Sequence, residues 1–229
     1  IIAKVEDTEG LENINETVQL VDGVMVARGD MAIEIGAENV PMVQKTIIRK
    51  CNELGKIVIT ATHMLESMIS NPVPTRAEVS DIANAILDGT DAIMLSEETT
   101  LGKYPIEAVK VMATVALKIE NDPLYCEQIR EMQHLKHESM GDRIADAMTN
   151  EVVDVANALK AKVIIALTHT GFTARMISRY KPLQKLVAMT PNETAQRQLL
   201  LSFGVIPVFL KQVKTVNEAV AAAKTYCVK

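Results

Sequence analysis

Lys4, Glu6 and Asp30 are the residues whose types and spacing are best suited to chemistry. Side chains alternate along a strand, so Lys4 and Glu6, two residues apart, share one face. Glu6 and Asp30 offer hard carboxylate oxygens that can hold one Mg²⁺ or Mn²⁺ and leave positions for substrate oxygens and water. A lysine beside such a pair adds positive charge against a transferring phosphoryl group or a developing enolate. Asp30 closes the run Val24-Met-Val-Ala-Arg-Gly-Asp30, in which an apolar segment stops abruptly at Arg28-Gly29-Asp30. Gly29 has no Cβ, so a ligand could approach the amides of Gly29 and Asp30. The alternative is a strand-to-helix turn carrying a surface Arg–Asp pair. Thr62 can orient a proton or a water. His63 follows it, and alternation turns His63 to the other face if the strand persists, so His63 is not assigned as a metal ligand. Arg76 and Glu78 are either a surface ion pair or substrate-positioning groups near the same mouth.

Four strand-plus-helix units must place these groups. Apolar runs at 1–5, 23–27, 57–61 and 92–95 read as strands, each ending in polar residues. Parallel strands in register bring those ends together: Lys4 and Glu6, Arg28 to Asp30, Thr62-His63, and Ser96-Glu97-Glu98-Thr99. Pro41 suits a first helical turn and Gly55 a helix end. Thr75-Arg-Ala-Glu78 has capping-box spacing, followed by Val79, Ile82, Ala83, Ile86 and Leu87 on one face. Pro105 opens a helix expected to carry Ile106, Val109, Met112, Ala113 and Ala116 toward the core. Repeated βα units with near-continuous apolar strands predict an α/β fold with a parallel sheet covered by helices, over residues 1–120. Four units make either half of a (β/α)₈ barrel or a small open sheet.

Residues 121–141 are polar and weakly periodic and read as a connector. Residues 142–229 read as a smaller α/β domain, with strands at 163–167, 186–189 and 205–209 and helices near 172–180, 193–202 and 215–226. Ile144, Met148, Val152, Val155 and Leu159 line one helical face. Between the first strand of this domain and its next helix lies Thr168-His169-Thr170-Gly171-Phe172-Thr173. Hydroxyls, a glycine and a helix N-terminus make either a phosphate cradle or ordinary N-capping.

Composition bounds the function. The 229 residues carry a net charge of −5 and no Trp, which disfavours an extended nucleic-acid face. Apolar residues are frequent but dispersed, with no run approaching the roughly 20 needed to span a bilayer. The expectation is a soluble, cytoplasmic protein. Cys51, Cys126 and Cys227 are odd in number and far apart, which suggests neither a disulfide framework nor a cysteine zinc site. His134, His137 and His169 lack the spacing of a zinc helix. The chain opens inside an apolar strand without Met, so it is expected to begin part-way through a longer protein.

Several long motifs, in order, resemble pyruvate kinase. They are Lys4-Val-Glu6, Met25-Val-Ala-Arg-Gly-Asp30, Ala61-Thr-His-Met-Leu-Glu-Ser-Met68, Pro74-Thr-Arg-Ala-Glu-Val-Ser-Asp81, Ala83-Asn-Ala-Ile-Leu-Asp-Gly89, Met94-Leu-Ser-Glu-Glu-Thr99 and Gly102-Lys-Tyr-Pro105. The resemblance implies the second half of a (β/α)₈ barrel and a C-terminal regulatory domain lacking its last hairpin. It implies phosphoryl transfer from phosphoenolpyruvate to ADP with Mg²⁺ or Mn²⁺, the family's K⁺ remaining open, in a homotetramer when full length. On matching positions Lys4 would bind the phosphate, and Glu6 and Asp30 would ligate the metal. Ala27, Arg28, Gly29 and Asp30 would receive the substrate carboxylate through backbone amides. Thr62, with Ser96 close to the route, would belong to the relay that protonates the enolate. The loop from Thr168 to Thr173 would bind a phosphorylated allosteric effector.

The chain departs from the family at His63, where Gln is common, at Glu97 and Ala32, where Gly is common, and at Phe172, where many members carry Arg. With most nucleotide contacts upstream in the family, the isolated chain is expected to be inactive. Two other readings fit the residues alone: a metal-dependent enolate aldolase or lyase, and a non-catalytic module binding a phosphorylated metabolite.

Overall fold

The computed structural model describes residues 1–134, 143–211, 213 and 215–227. It forms two compact units, Ile1–Glu138 and Ser139–Lys229. In the first, strands β1 (Ile2–Val5), β2 (Gly23–Ala27), β3 (Ile57–Ala61) and β4 (Ala92–Met94) pair in parallel in the order β1-β2-β3-β4. Lys4 lies opposite Met25, and Ala27 opposite Ala61, which in turn faces Met94. Consecutive parallel strands need crossovers, and helices supply them. These are α1 (Thr8–Glu12) and α2 (Ile14–Leu20), α3 (Arg28–Ile35) and α4 (Val40–Glu53), α5 (Arg76–Leu87), then α6 (Glu97–Thr100), α7 (Pro105–Glu120) and α8 (Pro123–His134).

Sequence signals place the helix boundaries closely. Pro41 stands in the first turn of α4, and the helix stops before Gly55, whose φ is 63°. At α5 the capping box forms in both directions between Thr75 and Glu78, a device worth about 1 kcal/mol. The Glu78 carboxylate also accepts from the Ser67 amide and hydroxyl, both at 2.6 Å. Glu78 therefore ties the start of α5 to the preceding loop and acts as more than a surface partner for Arg76. Burial opposes its ionisation, but the hydrogen bonds from Ser67 and Thr75 prevail and lower its pKa.

Two expectations are corrected. In α7 the core face is Ala108 and Met112, with Val111, Val115, Ala116 and Ile119 beside them, while Ile106, Val109 and Ala113 are exposed. This helix is apolar nearly all round, so spacing alone cannot select its inner face; packing against α5 does. Part of the segment read as a connector is helix α8, whose Tyr125 and Ile129 are buried in the same cluster. Its remainder lies outside the described residues.

The second unit contains α9 (Arg143–Ala158), β5 (Val163–Leu167), α10 (Phe172–Ser178), β6 (Lys185–Thr190), α11 (Glu193–Gln198), β7 (Val205–Phe209) and α12 (Val216–Cys227). Its parallel sheet has the order β5-β6-β7. Val153 and Ala156 of α9 enter the core with Ile164, Ile177 and Leu186, while Ile144, Met148 and Leu159 lie exposed on the opposite face. Among the described residues no helix is long and apolar enough to cross a membrane.

Candidate active site

Because β1 and β2 are parallel and in register, their C-terminal ends deliver Lys4, Glu6 and Asp30 to one place. The Lys4 ammonium pairs with Glu6 Oε2 and donates to Asp30 Oδ2 at 3.2 Å. Val5, between the two, turns inward and is buried, so alternation holds across this strand end. The carboxylates of Glu6 and Asp30 raise the pKa of Lys4. Lys4, then Glu6 and His63, hold the Asp30 carboxyl below its usual range. Lys4 is thus held as the ammonium and Asp30 as the carboxylate.

The donor set fits a divalent cation. Glu6 Oε2 is shielded from solvent without a hydrogen bond of regular geometry, and Asp30 is open to the mouth. Among the described residues no group of three or more His, Cys, Asp or Glu could hold a metal ion. Two carboxylates and no third protein ligand suit an ion that retains water or takes oxygens from a substrate.

Helix α3 begins directly at Arg28, so Gly29 and Asp30 form its first turn and Ala27 is its N-cap. The Gly29 amide donates to Thr62 Oγ1 at 2.8 Å, and the Thr62 hydroxyl donates to Ala61 O at 2.7 Å. Thr62 and His63 both have positive φ, 70° and 54°. Two successive non-glycine residues in the left-handed region cost on the order of 1–3 kcal/mol each, and the β-branched Thr62 is the more unusual. Strand β3 therefore ends at Ala61, and the alternation that was expected to turn His63 away does not apply. Its ring lies against Gly29 instead, where a Cβ would come within 3.2 Å of His63 Cε1. The lack of a side chain at position 29 accommodates the protein's own imidazole.

Arg28 is buried and is not a surface residue. Its Nε donates to Ala61 O at 3.3 Å and its Nη2 to Thr62 O at 2.7 Å, while Nη1 pairs with Asp81 at 2.7 Å. The guanidinium clamps the carbonyls at the strained turn. Ser96 caps α6 without a side-chain capping bond, and its amide donates to Glu98 Oε2 at 2.7 Å. The other oxygen of Glu98 accepts the Leu65 amide at 3.1 Å. Glu98, 1% exposed, thereby joins the loop after Thr62 to the loop bearing Ser96. Glu97 beside it points to solvent.

The loop from Thr168 to Thr173 is organised differently. Thr168 Oγ1 accepts the Gly171 amide at 3.0 Å and Thr170 Oγ1 the Phe172 amide at 3.4 Å. Gly171 adopts φ 84°, where a side chain would be strained. His169 O accepts from Thr190 Oγ1, and Arg175 Nη1 reaches back to Thr170 O at 3.3 Å. Thr168 and His169 also border a cleft of about 250 Å³ with Met189, Pro191, Leu210 and Lys211. Phe172 is half-exposed, and Thr173 sits in the first turn of α10.

Residues 1–109 match the family model described as pyruvate kinase, barrel domain, and residues 146–229 match that of pyruvate kinase, alpha/beta domain. The chain belongs to the pyruvate kinase family. It is 51% identical over 206 residues to a pyruvate kinase of Clostridium perfringens, covering 90% of this chain and 43% of that protein. It is 49% identical over 227 residues to one of Staphylococcus saprophyticus, covering 97% of this chain and 38% of the relative. A crystal structure of a pyruvate kinase from Cryptosporidium parvum superposes with a TM-score of 0.90 at 40% identity, over 100% of this chain and 47% of that one. The chain thus spans less than half the length of these relatives. Its four βα units belong to a TIM barrel, which decides between the two architectures that the strand count allows.

Within this pyruvate kinase framework, sequence reasoning set Glu98 at the strand ends without a role and missed Gln44, Asp81 and Asp88. Glu98 differs from Glu97 only by register on α6, and a single pair of adjacent acids carries no signal of which is buried. Asp81 and Gln44 stand outside the apolar pattern of their helices, and only their common partner Arg28 marks them.

Proposed function

We propose that the full-length protein carrying this chain is a pyruvate kinase, transferring the phosphoryl group of phosphoenolpyruvate to ADP to give pyruvate and ATP. The observation that carries this reading is the Lys4 ammonium bridging Glu6 and Asp30 at the ends of adjacent barrel strands. Lys4 offsets the negative charge of the transferring phosphoryl group. Glu6 and Asp30 would hold Mg²⁺ or Mn²⁺, which when bound supplies charge neutralisation to the phosphoryl oxygens. The first turn of α3, from Ala27 to Asp30, orients the substrate carboxylate. Thr62 and Ser96 border the route by which a proton reaches the enolate. The protein works in the cytoplasm as a homotetramer. The loop from Thr168 to Thr173 receives a phosphorylated effector, and Phe172 in place of Arg disfavours a bisphosphate.

The test is pyruvate formation from phosphoenolpyruvate by the full-length protein, with and without ADP. Strict ADP dependence is expected, together with no turnover by the 229-residue chain alone. Turnover of a keto acid without nucleotide would replace this reading with a lyase.

A further inference from the structure

The strained turn at Thr62-His63 is held by Arg28, and Arg28 is itself held from two helices. On α5, Asp81 accepts Nη1. On α4, Gln44, 4% exposed, places Oε1 at 3.4 Å from the same nitrogen. The Gln44 carboxamide has one possible orientation, because Nε2 donates to Asp88 Oδ2 at 3.0 Å. Asp88 is the C-cap of α5, and its other oxygen pairs with Lys45. An uninterrupted series of donors and acceptors therefore runs from Lys45 and Asp88 through Gln44 and Arg28 to the carbonyls of Ala61 and Thr62. It ends at the hydroxyl that accepts the Gly29 amide.

We infer that Gln44 and Asp88 are positioning residues that fix Thr62 Oγ1 against the Gly29 amide by orienting the Arg28 guanidinium. Both residues line a cleft of about 460 Å³ with Arg28, His63 and Asp81, and they reach Thr62 through the guanidinium. Gln44 suits this place because the series needs one group that accepts from a cation and donates to a carboxylate; a carboxamide does both without a charge, from two separate atoms at the end of one side chain. A carboxylate at 44 would face Asp88 with like charge, and an apolar side chain would leave Asp88 Oδ2 without its amide and Arg28 Nη1 with Asp81 alone.

The first readout is structural and independent of any activity. In the full-length protein, Gln44→Met is expected to raise hydrogen exchange of the Gly29 amide about tenfold, while the core amides of Val24 and Val58 keep their protection. Unchanged Gly29 exchange overturns the inference, as does parallel loss of protection in the core. The second readout rests on the function proposed above. In the full-length protein Gln44→Met should lower kcat about tenfold with KM for phosphoenolpyruvate little altered, and slow exchange of pyruvate methyl protons with deuterium in the same proportion as kcat. An inactive wild-type protein refutes the proposed function and leaves the exchange result standing. An active wild type with an equally active Gln44→Met refutes the positioning role. Should Gln44→Met not accumulate folded, Asp88→Leu against Asp88→Asn makes the same comparison. The Asn variant keeps an acceptor and should disturb Gly29 less; equality between the two would overturn the inference.

Discussion

The mouth of the first unit and the loop of the second both sit at the C-terminal ends of parallel strands, yet they are held in opposite ways. At the mouth the partners are far apart in sequence: Lys4 to Asp30 spans 26 residues, Gly29 to Thr62 33, and Arg28 to Asp81 53. In the loop, Thr168 and Thr170 cap amides only three and two residues away. A site assembled from distant charges exists only once the sheet has formed. A loop that satisfies its own amides is shaped locally and keeps its hydroxyls committed until a ligand competes for them. The comparison teaches that the same topological position can hold a charged centre or a capping turn, and that the origin of the partners tells which.

The contrast is broken most sharply at Lys4. In the full-length protein Lys4→Ala should lower kcat by at least about a hundredfold, since removing a group aimed at developing charge costs about 3–4 kcal/mol. Steady-state pyruvate formation checks this, and a near-normal kcat refutes the role. Arg28→Leu comes next. It leaves Asp81 and the Thr62 carbonyl without the guanidinium and the Ala61 carbonyl with the Thr62 hydroxyl in its place, so the first unit should lose about 3 kcal/mol, measured as a lowered urea midpoint. The second unit's signals should not move.

The carboxylates of the first unit sharpen the comparison through pH. Glu78 is held below its ordinary value of 4.5, so the unfolded chain binds its proton more readily and stability rises with pH. That contribution, about 1 kcal/mol for the capping interaction, is fully present above 4.5 and lost as pH falls through the lower folded value. Glu120 has the opposite sign. Burial raises its pKa, so its contribution declines as pH rises from 4.5 through the folded value. Thermal melts on either side of 4.5 for Glu78→Gln and Glu120→Gln should therefore show opposite changes in slope. The smallest effect is expected at Thr168→Val, which removes the acceptor of the Gly171 amide and costs about 1 kcal/mol. Hydrogen exchange should change only around residues 168–173, with the mouth undisturbed.

Much of this architecture was legible in the sequence. Four of the strands, read at positions 23–27, 57–61, 163–167 and 205–209, coincide with β2, β3, β5 and β7, because continuous apolar, β-branched runs bounded by polar residues leave few alternatives. The capping box at Thr75 and Glu78 and the meeting of Lys4, Glu6 and Asp30 were likewise readable from spacing. The inner face of α7 was not, because a helix apolar on most sides gives no phase. Nor was His63, because alternation assumes an extended backbone and the chain turns left-handed at Thr62.

By itself the sequence determined the period of each element, the caps that start the helices, and which charged residues stand at strand ends; these depend on neighbours within a few residues and on burial of apolar faces. Only the tertiary structure decided that Arg28 is buried and clamps the Thr62 turn, that Glu98 rather than Glu97 joins two loops, and that Gln44 and Asp88 stand behind them. The physical reason is that a hydrogen bond between residues thirty or more positions apart leaves no local trace. It becomes obligatory only when packing removes water from both partners.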